Sequence, residues 1–131
     1  MIRVLDAHAL MVFLEKERGF EKISRHFAAA AANDDDLLMT AVNFGEVYYI
    51  VLRECGPKKA EEIESLIQTL PIEIIAVDLD LTREAARFKA SYPLSYADCF
   101  AAALAKTYRA ELVTGDREFK ALENLIRIDW L

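Results

Sequence analysis

Five short apolar segments, separated by stretches long enough to form helices, constrain the fold of this chain more than any other feature. The segments are residues 2–6, 37–40, 72–77, 111–114 and 125–129. Short, nearly continuous apolar runs are typical of parallel strands that helices cover on both faces. Strands alternating with helices favour an α/β domain. The sequence therefore predicts an α/β fold with a mostly parallel, five-stranded sheet.

The stretches between these segments show the apolar spacing of amphipathic helices. We expect helices over residues 8–14, 20–32, 42–55, 82–91 and 95–107, a further helix through Ala60, Ile63, Ile67 and Leu70, and a short one near 118–123. Thr82 is the expected N-cap of the helix over 82–91. Because no repeat, low-complexity tract or linker interrupts the pattern, residues 1–131 are predicted to form one domain.

Composition narrows the class of protein. Apolar residues make up 54% of the 131 residues, which argues against disorder. No apolar run approaches the roughly 18 residues of a membrane span. The first residues, "MIRVLDAHAL", lack the features of a signal peptide, so a cytoplasmic protein is expected. Cys55 and Cys99 are then predicted to be reduced and buried.

The net charge of −6 and pI of 4.9 bear on possible partners. Proteins that bind nucleic acid by charge alone usually present a basic face, which this composition does not favour. If the chain binds RNA or DNA, something must offset its acidity. A bound divalent cation would do so locally.

Four acidic residues stand where such a cation could bind. Asp6 ends the first predicted strand, and Asp116 follows the fourth across the "TG" turn. Glu46 lies early in the helix after strand two, and Asp98 lies in the first turn of the helix before strand four. Ligands of open α/β sheets bind beyond the carboxyl ends of the strands, so all four side chains are expected at one edge.

Each acid also has a purely structural interpretation. Asp6 could cap a helix, Glu46 could be solvated, and Asp116 could serve the turn. Asp98 fits a capping box, "SYAD", in which Ser95 is the N-cap. Together, however, converging carboxylates repel by about 4 kcal/mol per pair at about 4 Å and an effective dielectric near 20. Such a cluster needs raised pKa values or a cation, and oxygen ligands suit Mg²⁺ or Mn²⁺.

The same residues lie in motifs that resemble a known family. The segments run in order along nearly the whole chain: "VLDAHALMVFLE", "TAVNFGEVYYIVLR", "LSYADCFAAALA", "ELVTGDREFKAL" and "RIDWL". They resemble the PIN domain, and more narrowly the VapC-type toxin ribonucleases of prokaryotic toxin–antitoxin pairs. The resemblance implies a three-layer α/β/α Rossmann-like sandwich and Mg²⁺- or Mn²⁺-dependent endoribonuclease activity.

The resemblance also implies roles for individual residues. Asp6 and Asp98 would be metal ligands, and Glu46 and Asp116 would complete the cluster or bind a second ion. Thr114 would orient an acid or a water molecule through its hydroxyl. The metal would activate the attacking water, so the implied chemistry needs no histidine base.

His8 departs from the family pattern, which most often has a small hydroxyl or amide residue, or an aromatic one, two residues after the first acid. One interpretation is a first-turn helix residue satisfied by the backbone. The other is a partner that donates a hydrogen bond to Asp6. A catalytic role is not predicted.

Partners follow from the resemblance as well. It implies an RNA substrate, typically a structured tRNA or rRNA loop, together with a VapB-type antitoxin and a homodimer. The residues expected to form a basic rim for RNA are Arg53, Lys89, Arg117 and Lys120. The residues expected to line a groove for a partner helix, unless they belong to the core or to a dimer interface, are Leu10, Phe13, Phe44 and Tyr48.

Three other interpretations stay open. "IIAVDLDLT" resembles the D-x-D-x-T motif of aspartyl-phosphate phosphatases, although only about fifty residues follow it; Asp78 and Asp80 could equally mark a strand exit and a helix approach. A phospho-receiver domain fits the size, but lacks two of its three functional parts. A degenerate PIN-like domain serving as a binding scaffold is the third interpretation, against which the presence of all four acids argues.

Overall fold

The computed structural model describes residues 1–131. Its strands are β1 (Ile2–Leu5), β2 (Asp36–Thr40), β3 (Glu73–Ile75), β4 (Glu111–Thr114) and β5 (Arg127–Trp130). Its helices are α1 (Ala7–Glu15), α2 (Phe20–Ala31), α3 (Ala41–Cys55), α4 (Pro57–Thr69), α5 (Leu79–Ser91), α6 (Tyr96–Thr107) and a 3-10 helix (Arg117–Leu122).

The five strands form one sheet in the order β3-β2-β1-β4-β5, and every neighbouring pair is parallel. Successive strand residues face opposite layers: Leu38 joins a core with α5, α6 and the 3-10 helix, whereas Met39 joins a core with α1 to α4. The sheet therefore lies between two helical layers, and the predicted α/β/α sandwich is confirmed.

The strand order places a topological switch point between β1 and β4. From β1 the chain builds outward through β2 to β3, and then returns to the other side of β1 with β4. In open α/β sheets the ligand crevice lies at this point, outside the carboxyl ends of the strands. Receiver domains have the order 2-1-3-4-5, so this sheet does not fit the receiver interpretation.

Several predicted element ends move by one or two residues. Strand one ends at Leu5 because Asp6 instead begins α1 as its N-cap. β3 is shorter than predicted, and β5 lies two residues later at its start. The helix predicted near 118–123 is a 3-10 helix. These shifts change no pairing in the sheet.

The predicted cap of α5 is wrong. Asp78 is the N-cap, and its carboxylate accepts a 2.8 Å hydrogen bond from the Leu81 amide. Thr82 lies inside the first turn, where its hydroxyl donates to the Asp78 carbonyl. Aspartate satisfies the open amides at a helix start well, so the cap of α5 lies four residues before the predicted threonine cap.

The burial of two residues, Cys55 and Leu10, differs from what the sequence predicts. Cys99 is buried as predicted, but Cys55 is exposed because it is the last residue of α3. Leu10 is fully buried and belongs to the core, so it cannot line a surface groove. Phe13, Phe44 and Tyr48 are half-buried against the same core. No helix combines the length and the apolarity that crossing a membrane requires.

Candidate metal centre

Four helices begin at the carboxyl edge of the sheet, and polar side chains cap each of them. Asp6 directly follows β1 and caps α1, Thr40 is the last residue of β2 and caps α3, and Asp116 caps the 3-10 helix two residues after the end of β4. Ser95 caps α6, whose first turn is held to α3 by the hydrogen bond from the Asn43 amide to the Ala97 carbonyl. The positive ends of these helices favour negative charge at this edge.

Asp6 is the most deeply buried acid, with 2% of its surface exposed. Its Oδ1 accepts a 2.8 Å hydrogen bond from the Ala9 amide, and its Oδ2 accepts a 2.5 Å bond from the Thr114 hydroxyl. The Thr114 oxygen in turn accepts a 3.0 Å bond from the Asp116 amide. Thr114 therefore connects the ends of β1 and β4 across the switch point.

Asp98, Asp116 and Glu118 form the tightest group of acids. One carboxylate oxygen from each lies within 4.8 Å of the others. The Glu118 amide also donates a 3.0 Å bond to Asp116 Oδ1, which fixes the turn between them. Asp6 and Glu46, although predicted in the same cluster, lie outside this tightest group.

Glu118 is a member that the sequence analysis did not identify. It is exposed, and it lies in a six-residue 3-10 helix whose only buried residues are Phe119 and Leu122. The available signal was its position two residues after Asp116 in "GDRE". A tight turn after a strand brings such neighbours together when the first acid caps the turn.

The capping box predicted at α6 is only half formed. The Ser95 hydroxyl accepts a 3.1 Å hydrogen bond from the Asp98 amide. The reciprocal bond, from the Ser95 amide to the Asp98 carboxylate, is absent. The half-buried Asp98 carboxylate thus lies beside Asp116 and Glu118, and its only capping contact is with the Ser95 side chain, which lowers its pKa against the larger effect of burial.

A buried asparagine orients Glu46. Asn43 is completely buried, and its side-chain amide donates to Glu46 Oε1 at 3.0 Å and to the Ala97 carbonyl at 3.1 Å. Its side-chain oxygen accepts a 2.5 Å bond from the Thr40 hydroxyl. Asn43 therefore holds the Glu46 carboxylate and links α3 to the first turn of α6, the helix that carries Asp98.

Three of the acids have raised pKa values. Burial raises the pKa of Asp6 to about 7, with smaller contributions from Asp98 and Asp116, against the opposing hydrogen bonds from Thr114 and Ala9. Burial and then the charge of Asp116 raise the pKa of Asp98 to about 6. The pKa of Glu46 is also raised, chiefly by burial.

No basic side chain neutralises this cluster. The ion pairs of the protein involve other acids, among them Asp35, Glu84 and Asp129. Charges on the site acids therefore interact mainly with one another, which is the arrangement that favours a bound cation.

His8 has the first of the two roles considered from the sequence: it is a first-turn residue of α1 whose side chain bonds to the backbone. It does not bond to Asp6, whose oxygens are occupied by Ala9 and Thr114. Instead, its Nδ1 accepts a 3.3 Å hydrogen bond from the Gly115 amide in the turn after β4. The imidazole thus lies at the rim of the site, between the ends of β1 and β4.

The predicted basic residues lie at different distances from the acids. Arg117 and Lys120 belong to the 3-10 helix that carries Glu118, and the Arg117 guanidinium lies 4.8 Å from the Trp130 ring centroid. Lys89 donates a 2.7 Å bond to the Leu94 carbonyl, just before α6. Arg53, by contrast, lies roughly 10 Å further along the axis of α3 than Glu46, so it does not belong to this rim.

Comparisons with known proteins agree with this description. The PIN domain family matches residues 3–125. One chain of the VapBC2 complex from Rickettsia felis, solved on a promoter DNA fragment, superposes with a TM-score of 0.80 at 16% identity, over 100% of this chain and 99% of that one. No curated protein sequence matches the chain.

Two further solved structures share the fold. VapC20 from Mycobacterium tuberculosis, described as a sarcin-ricin loop cleaving toxin, gives a TM-score of 0.71 at 15% identity over 91% of this chain and 93% of that one. VapBC-1 from nontypeable Haemophilus influenzae gives 0.72 at 16% identity over 99% and 98%. The resemblance predicted from the motifs is confirmed: the chain belongs to the PIN domain family.

Proposed function

We propose that this protein is a Mg²⁺- or Mn²⁺-dependent endoribonuclease, the toxin of a VapBC-type toxin–antitoxin pair. One observation carries the proposal: Asp98, Asp116 and Glu118 bring carboxylate oxygens within 4.8 Å of one another at the β1/β4 switch point. Membership of the PIN domain family also supports the proposal, because the acids in the family-like motifs lie at the carboxyl edge of the sheet.

The donor set fits a hard divalent cation. All the candidate ligands are carboxylates, and no cysteine or histidine nitrogen joins the group of three. Oxygen donors suit Mg²⁺ and Mn²⁺, whereas zinc sites use sulfur and nitrogen. The raised pKa values of Asp6 and Asp98 mean that the ionised cluster is costly without a cation.

Asp98, Asp116 and Glu118 would hold the ion, with Asp6 and Glu46 at the remaining positions or at a second ion. When bound, such an ion supplies Lewis acidity that activates water and stabilises the charge on the phosphate in the transition state.

The chain itself contributes the orientation of these acids. The Thr114 hydroxyl and the Ala9 amide fix the plane of the Asp6 carboxylate. Asn43 does the same for Glu46. Ligand orientation by such neighbours typically affects metal affinity 10- to 100-fold. No lysine or arginine competes for the carboxylates.

The partners belong to the same proposal. VapC20 is described as cleaving the sarcin-ricin loop, and the other two solved relatives are VapBC complexes. By analogy we propose a structured tRNA or rRNA substrate, a VapB-type antitoxin and a homodimer for this chain.

Cleavage of structured RNA by the purified protein tests the activity. The substrate would be total tRNA and rRNA, incubated in Mg²⁺, in Mn²⁺ and in chelator. Asp98→Asn removes one proposed ligand and keeps the shape of the side chain. Asp80→Asn is the matched control, since Asp80 is an exposed first-turn acid of α5 that pairs with Arg83, outside the site.

We expect metal-dependent cleavage by the wild type and by Asp80→Asn, and loss of cleavage in Asp98→Asn. Cleavage that persists in chelator, or that is equal in Asp98→Asn, would contradict the metal assignment. A protein that neither binds Mn²⁺ nor cleaves any of these RNAs would instead fit a binding scaffold.

A further inference from the structure

His8 stands beside both halves of the site. It lies in the first turn of α1, two residues after Asp6, and its ring lies against Gly115, between Thr114 and Asp116. The side chain is exposed. The imidazole is thus an exposed side chain beside the turn that leads from Thr114 to Asp116.

The hydrogen bond to Gly115 determines which nitrogen of the neutral imidazole carries the proton. The Gly115 amide donates to Nδ1, so Nδ1 acts as the acceptor. In a neutral imidazole the other nitrogen is then the donor. Nε2 makes no hydrogen bond within the protein, and its N–H is therefore open to a ligand.

Gly115 leaves space for the imidazole because it has no side chain. A Cβ atom at this position would lie 2.5 Å from His8 Cε1, closer than real contacts allow, and 3.1 Å from Nδ1. Gly115 has no positive φ angle, so its backbone conformation does not require glycine. The close approach of His8 is the reason that no side chain fits there.

The charge of the surroundings suggests what the free N–H binds. The neighbouring side chains Asp6, Asp98, Asp116 and Glu118 are acidic, and they repel an RNA phosphate unless a cation and a hydrogen-bond donor receive it. His8 offers an uncharged donor that does not neutralise the carboxylates. We propose that His8 is a substrate-binding residue that donates Nε2–H to a phosphate oxygen of the bound RNA. This inference rests on the proposed function and specifies how its substrate is held.

Two substitutions separate this role from a purely structural one. His8→Asn can keep an acceptor for the Gly115 amide but has no donor at the position of Nε2. His8→Gln can reach the position of Nε2 with its amide but gives up the bond to Gly115. The assay is binding of a fluorescently labelled structured RNA, with Ca²⁺ replacing Mg²⁺. Mn²⁺ affinity is measured for every variant.

We expect RNA affinity to fall about 10-fold in His8→Asn and in His8→Ala, the loss of one hydrogen bond to a charged group. His8→Gln should stay within about threefold of the wild type. Mn²⁺ affinity should not change. Where RNA is cleaved, KM should rise about 10-fold in His8→Asn while kcat is kept. If His8 only connected the two turns, His8→Gln would be the damaged variant and His8→Asn the intact one.

Gly115→Ala gives an independent test, because the added methyl group must displace the imidazole. It should weaken RNA binding about as much as His8→Ala, and the double variant should be no weaker than either single one. Equal RNA binding by the wild type, His8→Asn and His8→Ala, or no RNA binding by the wild type, would overturn the inference. RNA binding that depends on His8 but is never followed by cleavage would refute the nuclease and leave this contact standing.

Discussion

Without metal, the protein should become less stable as the pH rises, and Asp6 should be the main cause. The pKa of this buried carboxyl is raised from 3.8 to about 7. Between these values the folded protein keeps a proton that the unfolded chain has released. The stability that Asp6 contributes is therefore full below 3.8, falls with increasing pH through this window, and levels off above about 7.

The size of the effect follows from the shift. Each pKa unit corresponds to about 1.4 kcal/mol, so the whole shift corresponds to about 4 kcal/mol of unfolding free energy. The part between about pH 5 and about pH 7 is about 3 kcal/mol. The raised pKa values of Asp98, about 6, and of Glu46 add to the fall in the same direction. Asp35, Glu84 and Asp129 have lowered pKa values, are already ionised in this range and do not add to the slope.

Urea unfolding in chelator, followed by the fluorescence of the single tryptophan, Trp130, measures this effect at about pH 5 and about pH 8. Asp6→Asn is the matched variant, because asparagine also caps helices but does not ionise. We expect a fall of about 3 kcal/mol for the wild type and a much flatter profile for Asp6→Asn. Mn²⁺ at about 100 times its Kd should restore about 2.7 kcal/mol to the wild type near pH 8.

A wild-type stability that is constant between the two pH values would refute the reasoning. So would an Asp6→Asn profile that runs parallel to the wild type, because the slope would then come from other groups. An increase in stability with pH would mean that Asp6 is ionised in the folded protein despite its burial.

Three further predictions concern the neighbours of the acids. Thr114→Val removes the hydroxyl shared with Asp6 and should lower the unfolding free energy in chelator by about 2 kcal/mol, measured by urea unfolding; a loss below about 0.5 kcal/mol would contradict this role. Asn43→Leu removes the side-chain amide that orients Glu46, and it should weaken Mn²⁺ binding about 10-fold, as measured by calorimetry. Glu118→Gln should also weaken Mn²⁺ binding at least 10-fold, whereas Glu123→Gln, just beyond the 3-10 helix, should match the wild type.

The sequence was most informative where a general rule of parallel sheets applied. The acids after β1 and β4 could be placed at one edge because parallel strands all end there. The start of α6 was predicted correctly because Ser95 combines a capping side chain with an alanine-rich helix behind it. Whether the Asp98 carboxylate bonds the Ser95 amide depends on the geometry of that amide, which no sequence pattern records.

Where local signals competed, the sequence could not decide between them. "IIAVDLDLT" contains both Asp78 and Thr82 as possible caps, and only the chain path after β3 selects Asp78. β3 is an edge strand paired only with β2, and Glu73 and Ile74 are exposed, so its ends have little burial to define them. Asn43 reads as an ordinary polar helix residue, although its bonds to Thr40, Glu46 and Ala97 need the tertiary structure to form.

The capping of helices by side chains of the site has a consequence for how this protein could evolve. Asp6 and Asp116 each start a helix, and asparagine starts helices about as well as aspartate. Replacing one oxygen by nitrogen therefore removes a charge and keeps the fold. Alanine at the same positions removes the charge and also the helix cap. A single aspartate-to-asparagine substitution could therefore produce a protein that is well folded but has lost the proposed activity. A loss of activity in an alanine variant, by contrast, can reflect impaired folding as well as a missing carboxylate.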